Sequence, residues 1–170
     1  LDAALASGQW DTVYHEHKVE WDVDSLRSAF GAKGLWMTGA WRLPLHGGLL
    51  RAEFRKGKPR GYPPTIRPDF DPLVRAYETR KAPPLPEGSV AYGAAARASV
   101  YLNQVETGVR YVVDGSPRRA GRYVPGVGLR IATPEEFDGD NPPAALITAW
   151  NHAPDIKARH PHYGRWVSAW

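Results

Sequence analysis

The chain has 170 residues, of which 42% are hydrophobic and 24% charged, and its formal net charge of +4 makes it weakly basic. These proportions are typical of a soluble globular protein, and no apolar run approaches the roughly 20 residues that a membrane span requires. Because the sequence has no cysteine, a disulfide framework and a thiolate zinc site are excluded, and we expect a cytoplasmic protein without a metal.

The first part of the chain predicts a helix followed by a hairpin. Asp22 or Asp24 can cap a helix whose apolar residues lie on one face, and Gly34 is placed to end it. Two strand-like runs follow at Leu35–Leu43 and Leu49–Phe54, with a glycine turn between them.

The middle of the chain is rich in proline. At most one short helix, near Leu73–Arg80, fits between these prolines. We therefore predict three parts: the end of one domain at residues 1–58, an interdomain linker at residues 59–86, and a second domain at residues 87–170.

The last part of the chain alternates strand and helix signals. Strands are expected at Ser89–Tyr92, Val109–Val113, Ala144–Trp150 and Arg165–Ala169. Helices are expected at Ala98–Val105, from Pro134 onwards, and near Pro154–Arg159. This alternation predicts an α/β domain with a Rossmann-like, mostly parallel sheet and flanking helices.

Basic side chains form two clusters that could meet an anion. They are Arg51, Arg55, Lys56, Lys58 and Arg60, and later Arg118, Arg119 and Arg122. Because the charge bias is small and no nucleic-acid module is recognisable, we expect no nucleic-acid partner. A small anionic substrate fits this weak basic charge better.

The most reactive side chains lie together at Tyr14-His15-Glu16-His17. Histidine titrates near neutrality, so it can accept a proton at cellular pH, and a neighbouring carboxylate can orient it. A polar surface strand with a stray histidine explains the same spacing equally well. A metal site is a poorer interpretation, because a third and a fourth ligand cannot be identified from spacing.

A second candidate site lies in the turn Tyr92–Arg97 between a strand and a helix. Gly93 lets the backbone approach a ligand, and a helix N-terminus offers amide groups to an anion. The turn lacks the three glycines of the dinucleotide fingerprint, so a tight alanine-packed turn is an equally good interpretation of the pattern. Arg97 favours the phosphate interpretation slightly.

Several motifs, including the two candidate sites, occur in the same order along the chain as in one known family. The motifs are Trp10–His17, Leu43–Arg51, Tyr92–Arg97, Val112–Pro117, Gly121–Gly126 and Ala149–Asn151. The chain resembles the C-terminal half of S-adenosylmethionine-dependent C-methyltransferases that add branch methyls to nucleotide-linked keto-deoxysugars. The resemblance implies that the helix and strand pair come from the end of a class I methyltransferase domain.

The resemblance also implies roles for particular residues. In this family the histidine at the position of His17 removes a proton from the carbon next to the sugar ketone, and Tyr14 and Glu16 would contact the substrate and orient that base. The C-terminal domain would close over the nucleotide-sugar. Further substrate contacts are expected from His15, His46, Gly93, Arg97, Asp114, Arg122 and Asn151.

The chain also departs from the family pattern. It has neither the cysteine-rich zinc-binding domain nor the acidic Gly-x-Gly motif of the cofactor-binding fold, so we expect it to bind no cofactor by itself. The complete family enzyme would use S-adenosylmethionine. Because the chain begins at Leu1 without an initiator methionine, we expect further residues upstream.

Three functions therefore stay open at this point. The chain is part of a C-methyltransferase whose cofactor-binding half would be a partner, or a proton-transfer enzyme that needs no S-adenosylmethionine, such as an isomerase, epimerase, dehydratase or cyclase. The third alternative is a non-catalytic module that binds a nucleotide-sugar or a partner domain. The family resemblance favours the first.

Overall fold

A computed structural model describes residues 1–43, 48–57 and 68–170. The chain divides into two compact units, residues 1–78 and residues 79–170. Each unit is described by itself below. In the described residues, no helix is long and apolar enough to cross a membrane.

The first unit combines short helices with one antiparallel strand pair. Its elements are α1 (Asp2–Ala6), a 3₁₀ turn (Trp10–Thr12), α2 (Val23–Gly31), β1 (Leu35–Leu43), β2 (Leu49–Lys56) and α3 (Asp71–Glu78). Strands β1 and β2 pair from Leu35 opposite Lys56 to Leu43 opposite Leu49. The predicted pair of strands is confirmed, with β2 two residues longer than expected, and most of the predicted turn between them lies outside the described residues.

Helix α2 begins where the sequence predicted it, and Asp22 is its N-cap. The carboxylate of Asp22 accepts a bond from the Ser25 amide at 2.7 Å, while the Ser25 hydroxyl accepts one from the Asp22 amide at 3.0 Å. This reciprocal pair satisfies two amides that the helix cannot bond internally. The ring of Phe30 near the end of α2 stacks on Phe54 of β2, with centroids 4.6 Å apart.

The second unit is an α/β domain. Its elements are β3 (Val90–Tyr92), α4 (Ala96–Gln104), β4 (Val112–Val113), β5 (Ile131–Ala132), α5 (Pro134–Asp140), β6 (Ala145–Ile147), a 3₁₀ turn (Trp150–His152), α6 (Ala153–Arg159) and β7 (Trp166–Ser168). The strands lie in the order β5-β4-β3-β6-β7, and every neighbouring pair is parallel. The predicted fold class is confirmed.

This strand order identifies the edge of the sheet where a ligand would bind. The chain moves from β3 outward to β4 and β5, and then crosses back to β6 on the other side of β3. In doubly wound folds, ligands bind outside the carboxyl ends of the strands where the winding direction reverses. In this domain that position lies between the ends of β3 and β6, at residues 93–97 and 148–151.

The sheet is buried on both faces, and successive residues of β3 supply the two cores. Val90 and Tyr92 pack with Phe137 of α5 and Ile156 of α6 on one face. Ala91 packs on the other face in a cluster that includes Leu102 of α4. This alternation is the two-residue period of a strand, and it explains why all three residues of β3 are apolar or aromatic.

Several boundaries differ from the predicted ones, and tertiary hydrogen bonds explain the largest difference. The expected strand Ala144–Trp150 ends at Ile147, because the amides of Thr148 and Ala149 both donate hydrogen bonds to the carbonyl of Tyr92. The chain then continues as a 3₁₀ turn. The expected strand Val109–Val113 is also shorter and spans only β4.

Candidate functional site

His17 lies between a phenol and a carboxylate in the first unit. The Tyr14 hydroxyl is 2.6 Å from Nε2 of His17, and Nδ1 of His17 is 2.8 Å from Oε1 of Glu20. We call these three residues the exposed histidine chain, because 41% of the His17 side chain and 33% of the Glu20 side chain are exposed to solvent.

The partners of His17 determine where its proton sits. An ionised carboxylate can only accept a hydrogen bond, so Nδ1 of a neutral His17 carries the hydrogen and donates it to Glu20. Nε2 then holds the lone pair and accepts the bond from the Tyr14 hydroxyl. This is the arrangement of a general base, with a basic nitrogen on one side of the ring and a carboxylate behind it.

A turn, and not a strand, brings these residues together. The amide of His17 donates to the carbonyl of Tyr14 at 2.9 Å, and the two rings lie with centroids 4.1 Å apart. Residues 13–22 contain no strand, so the polar surface strand that explained the spacing equally well is not the observed structure.

The other two residues of the motif point elsewhere. His15 and Glu16 approach each other at 3.9 Å, and their side chains are 89% and 68% exposed. The carboxylate that contacts His17 is that of Glu20, whereas the family resemblance implied this role for Glu16. The substrate contact expected of His46 lies outside the described residues.

The second candidate site is the turn after β3 in the second unit. Gly93 has φ = +113°, and a Cβ atom at this position would lie 2.5 Å from the Cβ of Ala149 and 2.8 Å from its amide nitrogen. The Thr148 hydroxyl lies within 2.9 Å of the carbonyls of Tyr92 and Gly93. The backbones that follow β3 and β6 can therefore approach this closely only because residue 93 is glycine.

Helix α4 begins directly after this turn without a side-chain cap. Its N-cap residue is Ala95, which has no side-chain oxygen, and no side chain among the described residues caps this end of the helix. The guanidinium of Arg97 lies over the ring of Trp150, 4.7 Å from its centroid. Amides with a positive dipole and a guanidinium thus lie at the position where doubly wound folds hold anions.

The carboxylate of Asp114 holds this turn to the end of β4. It accepts bonds from the amide of Ala94 at 2.9 Å, from the amide of Ser116 at 2.8 Å and from the guanidinium of Arg119 at 3.1 Å. Both of its oxygens are engaged by the protein. Asp114 was expected to face a ligand, and the contacts in this structure give it a role in positioning the turn.

Of the other two residues predicted to contact substrate, Asn151 lies at this edge of the sheet and Arg122 does not. Asn151 lies in the 3₁₀ turn that follows β6, next in sequence to the Trp150 ring that Arg97 contacts. Arg122 does not lie at this edge. Its carbonyl accepts a hydrogen bond from the amide of Ile131 in β5, and this bond is on the side of β5 that faces away from β4. Three strand spacings of about 4.8 Å separate that position from β3, so Arg122 does not share a site with Gly93.

Two cavities that the sequence did not predict open along the second unit. One has about 390 Å³ and lies between the ends of β4 and β5, where Asp114, Ser116, Thr133, Glu135 and Arg159 line it among others. The other has about 500 Å³ and is lined by Asp138, Arg159, His160 and His162 among others. Arg159 lines both cavities, and no local pattern in the sequence marked it.

A buried histidine adjoins the larger cavity. Nε2 of His160 is 2.8 Å from the Tyr92 hydroxyl, and its Nδ1 is 2.6 Å from Oδ1 of Asp138. We call these residues the buried histidine chain. Burial raises the pKa of the Tyr92 hydroxyl, and the neighbouring Arg159 guanidinium opposes that rise. Tyr92 therefore stays protonated at neutral pH.

The turn after β3 does not fit S-adenosylmethionine. A positive helix end and the Arg97 guanidinium repel a sulfonium cation, and the Asp114 carboxylate is already bonded to three protein donors. The described residues also contain no group of three or more potential metal ligands. The geometry suits an anionic ligand instead.

The chain is similar to known C-methyltransferases. Residues 87–170 match the C-methyltransferase C-terminal domain. Over 182 aligned residues, the chain is 26% identical to the C-methyltransferase NovU of Streptomyces niveus, and this alignment covers 89% of the chain and 43% of the relative. The chain thus spans less than half the length of this curated relative.

Proposed function

We propose that this chain, whose residues 87–170 match the C-methyltransferase C-terminal domain, forms the C-terminal portion of a C-methyltransferase that acts next to a ketone. The substrate is a nucleotide-linked deoxysugar or a similar keto compound, and His17 is the general base. The single observation that carries this proposal is the exposed histidine chain.

The geometry of the exposed histidine chain suits proton removal from carbon. Nε2 of His17 accepts the proton, the C–H electron pair becomes part of the enolate, and the Glu20 carboxylate stabilises the imidazolium that results. The Tyr14 hydroxyl bonds the same nitrogen, so it has to turn aside when substrate arrives. It is then a donor close to the place where the enolate charge develops.

We propose separately that the turn after β3 binds an anionic group such as a diphosphate. The amides at the start of α4 and the Arg97 guanidinium are donors for a diphosphate, and Gly93 leaves room for the backbone to approach it. Asn151 adjoins this place and would contact the sugar side. Asp114 would act indirectly, since its carboxylate fixes the position of the turn.

The methyl donor would be bound by another part of the complete protein. S-adenosylmethionine supplies an electrophilic methyl group to a carbanion when it is bound, and the turn after β3 does not fit it. The proposal therefore assigns to this chain the base and the anion site only. The cofactor-binding half is the partner that the proposal requires.

Two measurements test the proposal together. The complete protein, supplied with S-adenosylmethionine and a panel of nucleotide-linked keto-deoxysugars, should add one methyl group to a carbon next to the ketone, detected by mass spectrometry. The 170-residue chain alone should show no stoichiometric binding of S-adenosylmethionine in calorimetry. Stoichiometric binding by the chain, or no methylated product from any keto-sugar, would contradict the proposal.

One further outcome of the same assay would identify a different function. If solvent deuterium enters the carbon next to the ketone without S-adenosylmethionine and no methylated product forms when it is present, the protein is a proton-transfer enzyme. If the protein binds the sugars without exchange or methylation, it is a binding module.

A further inference from the structure

The contact between His17 and Glu20 has no counterpart in the motif from which the base was identified. That motif ends at His17, and its own carboxylate, Glu16, points away and pairs with His15 at 3.9 Å. The residue that reaches Nδ1 of His17 is Glu20, three positions further along the chain, at 2.8 Å.

Both ring nitrogens of His17 are engaged, and only one can serve as a base. If Nδ1 carried the lone pair, it would face a carboxylate that has no hydrogen to donate, and Nε2 would have to donate to Tyr14. With the hydrogen on Nδ1, the bond to Glu20 and the bond from Tyr14 are both satisfied. The partner of one nitrogen thus decides which tautomer the ring adopts.

We propose that Glu20 is a positioning residue that fixes His17 in the tautomer with the hydrogen on Nδ1, so that Nε2 is the basic nitrogen, and that its charge supports the imidazolium. This inference rests on the proposed function, because it names the residue that prepares the proposed base. Glu20 itself does not touch substrate.

Fixing the tautomer of His17 affects the rate at which it removes a proton from substrate. Free histidine in its neutral form prefers the hydrogen on Nε2, and in that form Nε2 cannot accept a proton from substrate. A carboxylate on Nδ1 removes this unproductive form and also lies close to the charge that develops during proton transfer. Loss of Glu20 should therefore lower the rate of proton removal without altering substrate binding.

The tautomer can be read directly in the 170-residue chain by ¹⁵N NMR of the imidazole rings. The signal of His17 is assigned by its disappearance in His17→Gln. At about pH 8.5, well above the usual histidine pKa of about 6.5, the native ring should show a hydrogen on Nδ1. In Glu20→Ala the ring should change toward the form with the hydrogen on Nε2, while Glu16→Ala, the matched control, should leave it unchanged.

A second substitution separates the two roles of Glu20. The amide oxygen of Glu20→Gln can still accept from Nδ1, so the tautomer should be retained while the charge is lost. In the complete protein, Glu20→Ala should slow deuterium exchange at the substrate carbon by roughly 10- to 100-fold, Glu20→Gln should slow it less, and substrate KM should stay unchanged in both.

The outcomes distinguish this inference from the function on which it rests. A native His17 with its hydrogen on Nε2, or a Glu20→Ala chain that keeps the native tautomer, would overturn the role of Glu20. A change of tautomer in Glu16→Ala would transfer that role to Glu16. If the tautomer changes in Glu20→Ala as expected but His17→Gln exchanges at the native rate, the positioning contact is real and the proposed base is wrong.

Discussion

The hydroxyl of Tyr92 lies 2.8 Å from Nε2 of His160, in the same arrangement that Tyr14 and His17 adopt in the other unit. In both cases a carboxylate engages the Nδ1 atom. The difference is burial, because the His160 side chain is 1% exposed and that of His17 is 41% exposed. The His160 ring is buried and both of its nitrogens are bonded to protein groups, so we interpret the buried histidine chain as a stabilising contact.

The buried histidine chain should therefore contribute to stability. His160→Gln breaks the bonded path between Tyr92 and Asp138 and leaves the buried Tyr92 hydroxyl without this partner, which should destabilise the protein by about 1–3 kcal/mol. Urea unfolding measures the loss. The matched control is His162→Gln, since His162 is exposed and should change stability by no more than about 0.5 kcal/mol. Equal stability of the two variants would show that the buried contact contributes nothing.

Substitution of Gly93 should be more damaging than backbone conformation alone explains. Gly108 also has a positive φ, at +66°, but a Cβ atom there would meet nothing within 4 Å. Gly108→Ala should cost about 1 kcal/mol from backbone strain. Gly93→Ala adds an overlap with Ala149 and should cost roughly 2–4 kcal/mol in total. Thermal unfolding of both variants checks this, and equal losses would mean that the close approach at Gly93 is easily relieved.

Arg97 should contribute to anion binding while Arg122 should not. Arg97 lies beside the start of α4, whereas Arg122 lies beyond β5. Arg97→Gln should weaken the binding of inorganic pyrophosphate or uridine diphosphate by about 10-fold or more, because a charged donor is lost. Arg122→Gln, which removes the same charge, should leave the affinity unchanged in calorimetry. A larger effect at Arg122 would relocate the anion site to the loop after β4.

The carboxylate of Asp140 should make stability depend on acid pH. A hydrogen bond from the Tyr111 hydroxyl lowers the pKa of Asp140 below its usual 3.8; burial opposes this, and Arg110 adds to it. A carboxyl group whose pKa is lower in the folded state stabilises the fold above the unfolded-state pKa, and this contribution disappears as pH falls through the folded-state pKa. Tyr111→Phe should therefore lose stability at pH 7 and approach the native protein below about pH 3.

Chemical unfolding at a series of pH values from 7 to below 3 measures this difference between the native protein and Tyr111→Phe. If the two proteins differ in free energy of unfolding by the same amount at every pH, the Tyr111 hydroxyl acts through packing and not through the ionised form of Asp140.

The elements whose formation depends on residues close together in the sequence could be predicted. Helix α2 and the hairpin were predicted because a capping aspartate, a turn and two strand-like runs are each visible within a few residues. Strand β5 was not predicted, because it has two residues and is a strand only through its pairing with β4. Two apolar residues after a long loop carry no period that a sequence pattern can detect.

In the candidate sites, too, contacts between residues close in sequence could be predicted and long-range contacts could not. Tyr14 and His17 are in one short motif, so their association could be predicted, and Gly93 with Arg97 could be placed at a turn. Glu20 was missed because the motif already offered a nearer carboxylate, although the spacing of three from Tyr14 to His17 to Glu20 is compatible with a turn. The contact between Tyr92 and His160 spans 68 positions, and only the folded sheet brings them together.

The proposed base is tested most directly by solvent deuterium exchange at the carbon next to the ketone of a nucleotide-linked keto-sugar, measured in the complete protein. His17→Gln should keep the fold and lose exchange by about 10² to 10⁴, the usual contribution of a general base. His15→Gln, the matched control two positions away, whose side chain is 89% exposed, should lose far less exchange than His17→Gln. Exchange at the native rate in His17→Gln, or its loss in His15→Gln alone, would contradict the assignment of His17 as the base.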